Sequence, residues 1–147
     1  MDDFYAARSG TIPPLAWPNI APPFSGTRFA DLDPLGHINN VAMAAILEDA
    51  RVRLSSAING EAGLKPFRIL IAAHLLNYVA EACYPALVHV SSGIRAIGKS
   101  SWQLAQIARQ DGRTVALACC ALVAEEGGRS VPIGTEFERA LRRFEIA

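Results

Sequence analysis

Apolar positions recur along this chain with more than one spacing. Between Val41 and Ile58, the residues Met43, Leu47, Ala50, Leu54 and Ile58 return at three- and four-residue steps, and Ile46 and Ala57 widen the stripe. That spacing predicts one long amphipathic helix. Asn39 or Asn40 is placed to cap its start and Asn59-Gly60 to stop it. Alanines at 42, 44, 45, 50 and 57 keep the helix thin, so other elements can pack close to it. Glu48 and Arg51 stand three apart off the stripe, where an ordinary ion pair is expected.

Beyond Gly63-Leu64-Lys65-Pro66 the pattern changes to strand-like runs: Phe67 to Ala82, Leu87 to Ile97, Trp102 to Arg109 and Thr114 to Ala124. Asp111-Gly112 between two such runs is a hairpin signal, and Gly127-Gly128 marks another sharp turn. Phe24 to Ala30 reads as a short first strand, while Gly134 to Phe144 fits either a short helix or an edge segment. One long helix followed by hairpin-connected strands implies an α+β architecture, an antiparallel sheet with the helix against one face. Exposed edges of such a sheet favour pairing with a second copy. Pro13, Pro14, Pro18, Pro22 and Pro23 make residues 1–23 a proline-rich arm, and residues 24–147 are expected to form a single domain.

Composition narrows the function. The 51% hydrophobic content and mean hydropathy of +0.21 suggest extra apolar surface hidden in a homo-oligomer interface. Fourteen basic residues balance fourteen acidic ones, and without a basic cluster no nucleic-acid partner is expected. The start, Met1-Asp2-Asp3-Phe4-Tyr5, is acidic where a secretory signal is basic. No apolar run approaches the ~18 residues of a membrane span, so a cytoplasmic protein without membrane insertion is expected. Cys83, Cys119 and Cys120 are odd in number and lack paired spacing, so they read as buried free thiols.

The chemistry concentrates in Asp31-Leu32-Asp33-Pro34-Leu35-Gly36-His37-Ile38-Asn39-Asn40, directly ahead of the helix. A carboxylate four residues before a histidine, across a Pro-Gly turn, is suited to act as base or nucleophile. The unpaired N–H groups of the helix start are suited to a developing oxyanion. These are the pieces of acyl transfer to water. The competing reading is that Asp31 or Asp33 only caps the turn and that His37 is a satisfied polar residue.

Phe29 to Asn40, followed by Glu48-Asp49-Ala50-Arg51, resembles the signature of hotdog-fold acyl-CoA thioesterases of the 4-hydroxybenzoyl-CoA thioesterase type. There an aromatic-x-D-x-D-x-x-G-H-V-N-N run opens the central helix and an E-x-A-R step follows. Ser91-Ser92-Gly93-Ile94 and Ile97-Gly98-Lys99-Ser100-Ser101 extend the resemblance more diffusely, over roughly residues 24–132.

The resemblance implies a hotdog fold, a curved antiparallel sheet wrapped around one central helix, and hydrolysis of an acyl-CoA without a metal or redox cofactor. It places the catalytic carboxylate on Asp33, the oxyanion donor on the backbone N–H of Asn40, and an orienting role on His37. Gly36 and Asn39 fall at substrate-binding positions. Lys99 and Ser100 match the loop near the coenzyme A phosphates, at a site shared between subunits of a dimer or a dimer of dimers. Asp31 is left as a turn or cap residue. Where the family commonly has aromatic residues on the helix, this chain has Met43 and Ile46, which points to an aliphatic acyl group. A noncatalytic acyl-CoA sensor is the alternative, followed by an enoyl-CoA hydratase or dehydratase, whose D-x-N-P-x-H turn the Asp31–His37 stretch matches loosely.

Overall fold

The computed structural model describes residues 16–18, 24–63 and 67–146. Its elements in chain order are β1 (Phe24–Ser25), a 3-10 turn (Phe29–Asp31), α1 (Asn40–Ala62), β2 (Arg68–Tyr78), β3 (Val88–Ile97), β4 (Ser101–Gln110), β5 (Arg113–Glu126), β6 (Arg129–Ser130) and α2 (Gly134–Arg142). All strand pairings are antiparallel, in the order β1-β3-β4-β5-β2, with β6 attached to β5. α1 lies against one face of this curved sheet, which is the hotdog arrangement.

The apolar stripe does what its spacing requires. Met43, Ile46, Leu47, Leu54 and Ile58 are buried against the inner face of the sheet. That face carries Trp102, Leu104 and Ala108 from β4 and Ala116, Ala118, Cys120 and Leu122 from β5. The outer face of the same strands presents Ala105, Ile107 and Leu117, covered by Trp17 and Ile146. A Cβ at Gly93 would lie 2.6 Å from Ile146 Cγ1 and 3.0 Å from Pro18 Cδ, so this glycine is what allows the two segments to approach β3. The other arm residues, 1–15 and 19–23, lie outside the described residues.

Several boundaries differ from the sequence reading. α1 passes through Asn59-Gly60 and ends at Ala62, with Gly63 at φ 73° as its cap. Ala62 packs against the core, and that contact carries the last turn past Gly60. The first strand is two residues rather than seven, because the Asp31 carboxylate accepts from the Arg28 N–H (2.8 Å) and curls the chain into a 3-10 turn. Gly134–Arg142 is a helix, seated on the core through Phe137, Ala140 and Leu141. Cys119 and Cys120 are buried, but Cys83 is exposed, because it leaves the sheet in the segment between β2 and β3. The β4–β5 and β5–β6 hairpins use paired positive φ values, Asp111 at 50° with Gly112 at 76°, and Gly127 at 59° with Gly128 at 83°.

β2 contains a bulge. Ile71 pairs with Leu122 and Ala73 with Ala121, leaving Ala72 as an extra residue. Before the bulge, odd-numbered residues such as Ile69 and Ile71 oppose inward-facing partners; after it, even-numbered His74, Leu76 and Tyr78 do.

Candidate active site

The loop between the 3-10 turn and α1 is held by its own backbone. The Asp33 N–H donates to the His37 carbonyl (2.8 Å) and the Gly36 N–H to the Asp33 carbonyl (3.0 Å), with Gly36 at φ 82°. The Asp33 carboxylate folds over this turn, its Oδ1 accepting from the N–H of Leu35 (2.8 Å) and of His37 (3.0 Å). Neither bond uses Oδ2.

Asp31 does the anchoring. It is buried, its carboxylate accepts from Arg28 Nε (3.1 Å) and Nη2 (2.6 Å), and its carbonyl accepts from the Asn39 N–H (2.8 Å). The Arg28 side-chain hydrogen bond holds the Asp31 carboxyl below the ordinary carboxylate range, outweighing its desolvation. The unfolded chain therefore binds this proton more readily than the native one. The pair's stabilisation is complete above the ordinary carboxylate value and is lost as pH falls through the depressed native one. Asp31→Asn should lower the melting temperature by more at pH 7 than at pH 3. Melting curves at the two pH values check this, and an equal deficit at both would remove the charge from the explanation.

Asn39 is the N-cap of α1, its Oδ1 accepting from the Ala42 N–H at 2.8 Å. Asn40 is the first helical residue, and among the described residues its N–H has no hydrogen-bond partner. The helix dipole reinforces that donor. From β2, Tyr78 Oη donates to the Asn40 carbonyl at 2.9 Å, tying the first turn to the sheet. Partial burial raises the pKa of this phenol, so it stays a donor.

Asp33, His37 and Asn40 line one cavity of about 580 Å³ together with Ile38, Met43, Tyr78, Val79, Ala80, Glu81, Ala82, Arg113 and Val115. The strand-to-strand segment forming its wall is fastened by Gln110, which donates to the carbonyls of Cys83 (2.8 Å) and Ala86 (3.0 Å) and accepts from the Cys83 N–H (2.7 Å). Three of the functional candidates here, Tyr78, Glu81 and Arg113, do not stand out in the sequence. Glu81 interrupts an apolar run and Arg113 follows the Asp-Gly hairpin, and only the fold brings them to the loop.

Other expected positions fall elsewhere. Gly36 serves the turn and Asn39 the cap. Lys99 and Ser100 occupy the β3–β4 turn, at the end of the sheet opposite the Arg113 and Val115 end that lines the cavity. One chain does not bring them to Asp33. Glu48 and Arg51 do pair, Nη2 to Oε1 at 2.9 Å, but Arg51 is buried and its Nη1 reaches Cys120 Sγ at 3.6 Å. Burial pushes the Cys120 thiol up, keeping it protonated.

A model of the thioesterase-like superfamily matches residues 27–141, and the chain belongs to that superfamily. Among solved structures it is similar to the predicted thioesterase of Bacillus stearothermophilus, with 26% identity and a TM-score of 0.75 over 83% of this chain and 93% of that one. It is also similar to a thioesterase from Thermus thermophilus, crystallised with coenzyme A and Zn, with 27% identity and a TM-score of 0.73 over 83% and 91% of the two chains. No curated protein matches. Among the described residues no helix is long and apolar enough to cross a membrane.

Proposed function

We propose that this thioesterase-like protein hydrolyses an acyl-CoA to the free carboxylate and coenzyme A. The observation that carries the reading is the meeting of Asp33 and Asn40 on one cavity, with the Asn40 N–H unpartnered among the described residues. A thioester carbonyl placed there accepts from the Asn40 N–H. Asp33 either attacks its carbon or takes a proton from a water that does. The carbonyl carbon becomes tetrahedral with its oxyanion held by that N–H, and collapse expels the thiolate, which takes up a proton. Where Asp33 was the nucleophile, water then hydrolyses the acyl-Asp33 anhydride to the free carboxylate and restores Asp33. Met43 lines the cavity where the family commonly has an aromatic residue, which favours an aliphatic acyl chain.

Two further parts belong to this proposal. Coenzyme A is the carrier found with the Thermus relative. Lys99 and Ser100 contact it in the site of a second copy, since they lie far along the sheet from their own Asp33. The copy pairs along β2, whose outer edge is unpaired among the described residues and whose Leu70, Ile71 and Leu75 are exposed.

The test is thiol release from a panel of acyl-CoA substrates of graded chain length and polarity. Release from aliphatic members, faster than from aromatic ones, is the expected result. Addition of water to an enoyl-CoA without thiol release would replace the reading with a hydratase. Tight binding with no turnover would replace it with a sensor.

A further inference from the structure

We infer that Glu81 is a positioning residue for this reaction, its carboxylate holding the imidazole of His37 at the cavity wall. The inference rests on the thioesterase reading above. His37 Nε2 lies 3.2 Å from Glu81 Oε2, and both residues line the cavity beside Asp33.

Each partner projects from a backbone that is already fixed. His37 donates its N–H to the Asp33 carboxylate and accepts from the Asp33 N–H, so main-chain bonds tie the histidine to the candidate base. On the other side, the N–H groups of Val79 and Ala80 both donate to the Val115 carbonyl (2.9 and 3.2 Å). Arg113 Nη2 donates to the Glu81 carbonyl (2.8 Å), and the Ile38 N–H to that of Ala82 (2.7 Å). What remains free is the rotation of the imidazole, and the Glu81 carboxylate removes it. A carboxylate only accepts, so it commits the neutral ring to carrying its proton on Nε2 and leaves Nδ1 as the acceptor. An acceptor of fixed direction beside Asp33 can orient the attacking water.

The pair is not there for folding. The Glu81 side chain is 69% exposed and that of His37 28% exposed, and exposed pairs contribute little to stability. Glu81→Gln should therefore leave the melting temperature unchanged.

A double-mutant cycle on acyl-CoA hydrolysis tests the inference. Glu81→Gln is expected to lower kcat by about tenfold with KM within about twofold, and to change kcat by less than about twofold once His37 is Ala. Equal losses in both backgrounds, or no loss in the first, would overturn it. A second readout needs no turnover. The imidazole Nε2–H of His37 should be visible by NMR in the substrate-free protein and lost in Glu81→Ala. If the wild type releases no thiol from any acyl-CoA, the thioesterase reading falls, and the NMR signal still decides the pair: loss on substitution keeps it, and insensitivity overturns it.

Discussion

Asp33→Asn should lower kcat for acyl-CoA hydrolysis by about three orders of magnitude, the scale set by removing a positioned base or nucleophile. The substitution is nearly isosteric. The Asn carbonyl oxygen can still accept from the N–H groups of Leu35 and His37 that now bond Asp33 Oδ1, so the turn and the helix start survive. What disappears is the charge that removes a proton from water or attacks the thioester. The melting temperature should move by only a few degrees. Because Cys83 is exposed, a thiol-trapping reagent will also react with the protein, and the rate must be taken after that stoichiometric phase. Wild-type turnover in the variant would remove Asp33 from the chemistry.

Leu47→Ala should cost about 2–5 kcal/mol of folding stability, the range for emptying a buried leucine site. Leu47 is fully buried in the N-terminal half of α1, and its carbonyl accepts from Gln106 Nε2 at 2.8 Å. The sheet strands cannot collapse around a missing side chain without moving the helix that carries Asn40. The expected sign is a lower urea midpoint with an unchanged slope. Val52, on the exposed side of the same helix, supplies the comparison: Val52→Ala should stay within about 0.5 kcal/mol. A Leu47→Ala cost as small as that would mean α1 is not held by its buried stripe.

The central helix was legible because its stripe is long and strictly spaced, and the strands because Asp-Gly and Gly-Gly separate the runs. Helix ends were less so. Gly60 reads as a stop in local terms, and only the packing of Ala62 against residues far along the chain carries the helix past it. Phe24 to Ala30 reads as strand by its bulky residues, but the Arg28–Asp31 pair takes the segment out of the sheet. Within the candidate site, Asp33, His37 and Asn40 are close neighbours in the chain, so spacing could group them. Tyr78, Glu81 and Arg113 join them through strand register, which no short-range pattern carries. Arg51 shows the same limit: its i,i+3 partner was legible, its burial against Cys120 was not.

The bulge at Ala72 gives β2 two phases. Upstream of it one parity of residue numbers meets the helix, and downstream the other does. Such a strand carries one spare residue at this point. Loss of Ala72 would leave Ile71 opposite Leu122 and Ala73 opposite Ala121, an unbroken antiparallel ladder in which every residue from Ala73 onward keeps its partner and its face. The Tyr78 hydroxyl would stay on the Asn40 carbonyl. For relatives of this chain, a one-residue gap at this point therefore marks a straightened edge strand, and not a rearranged helix start.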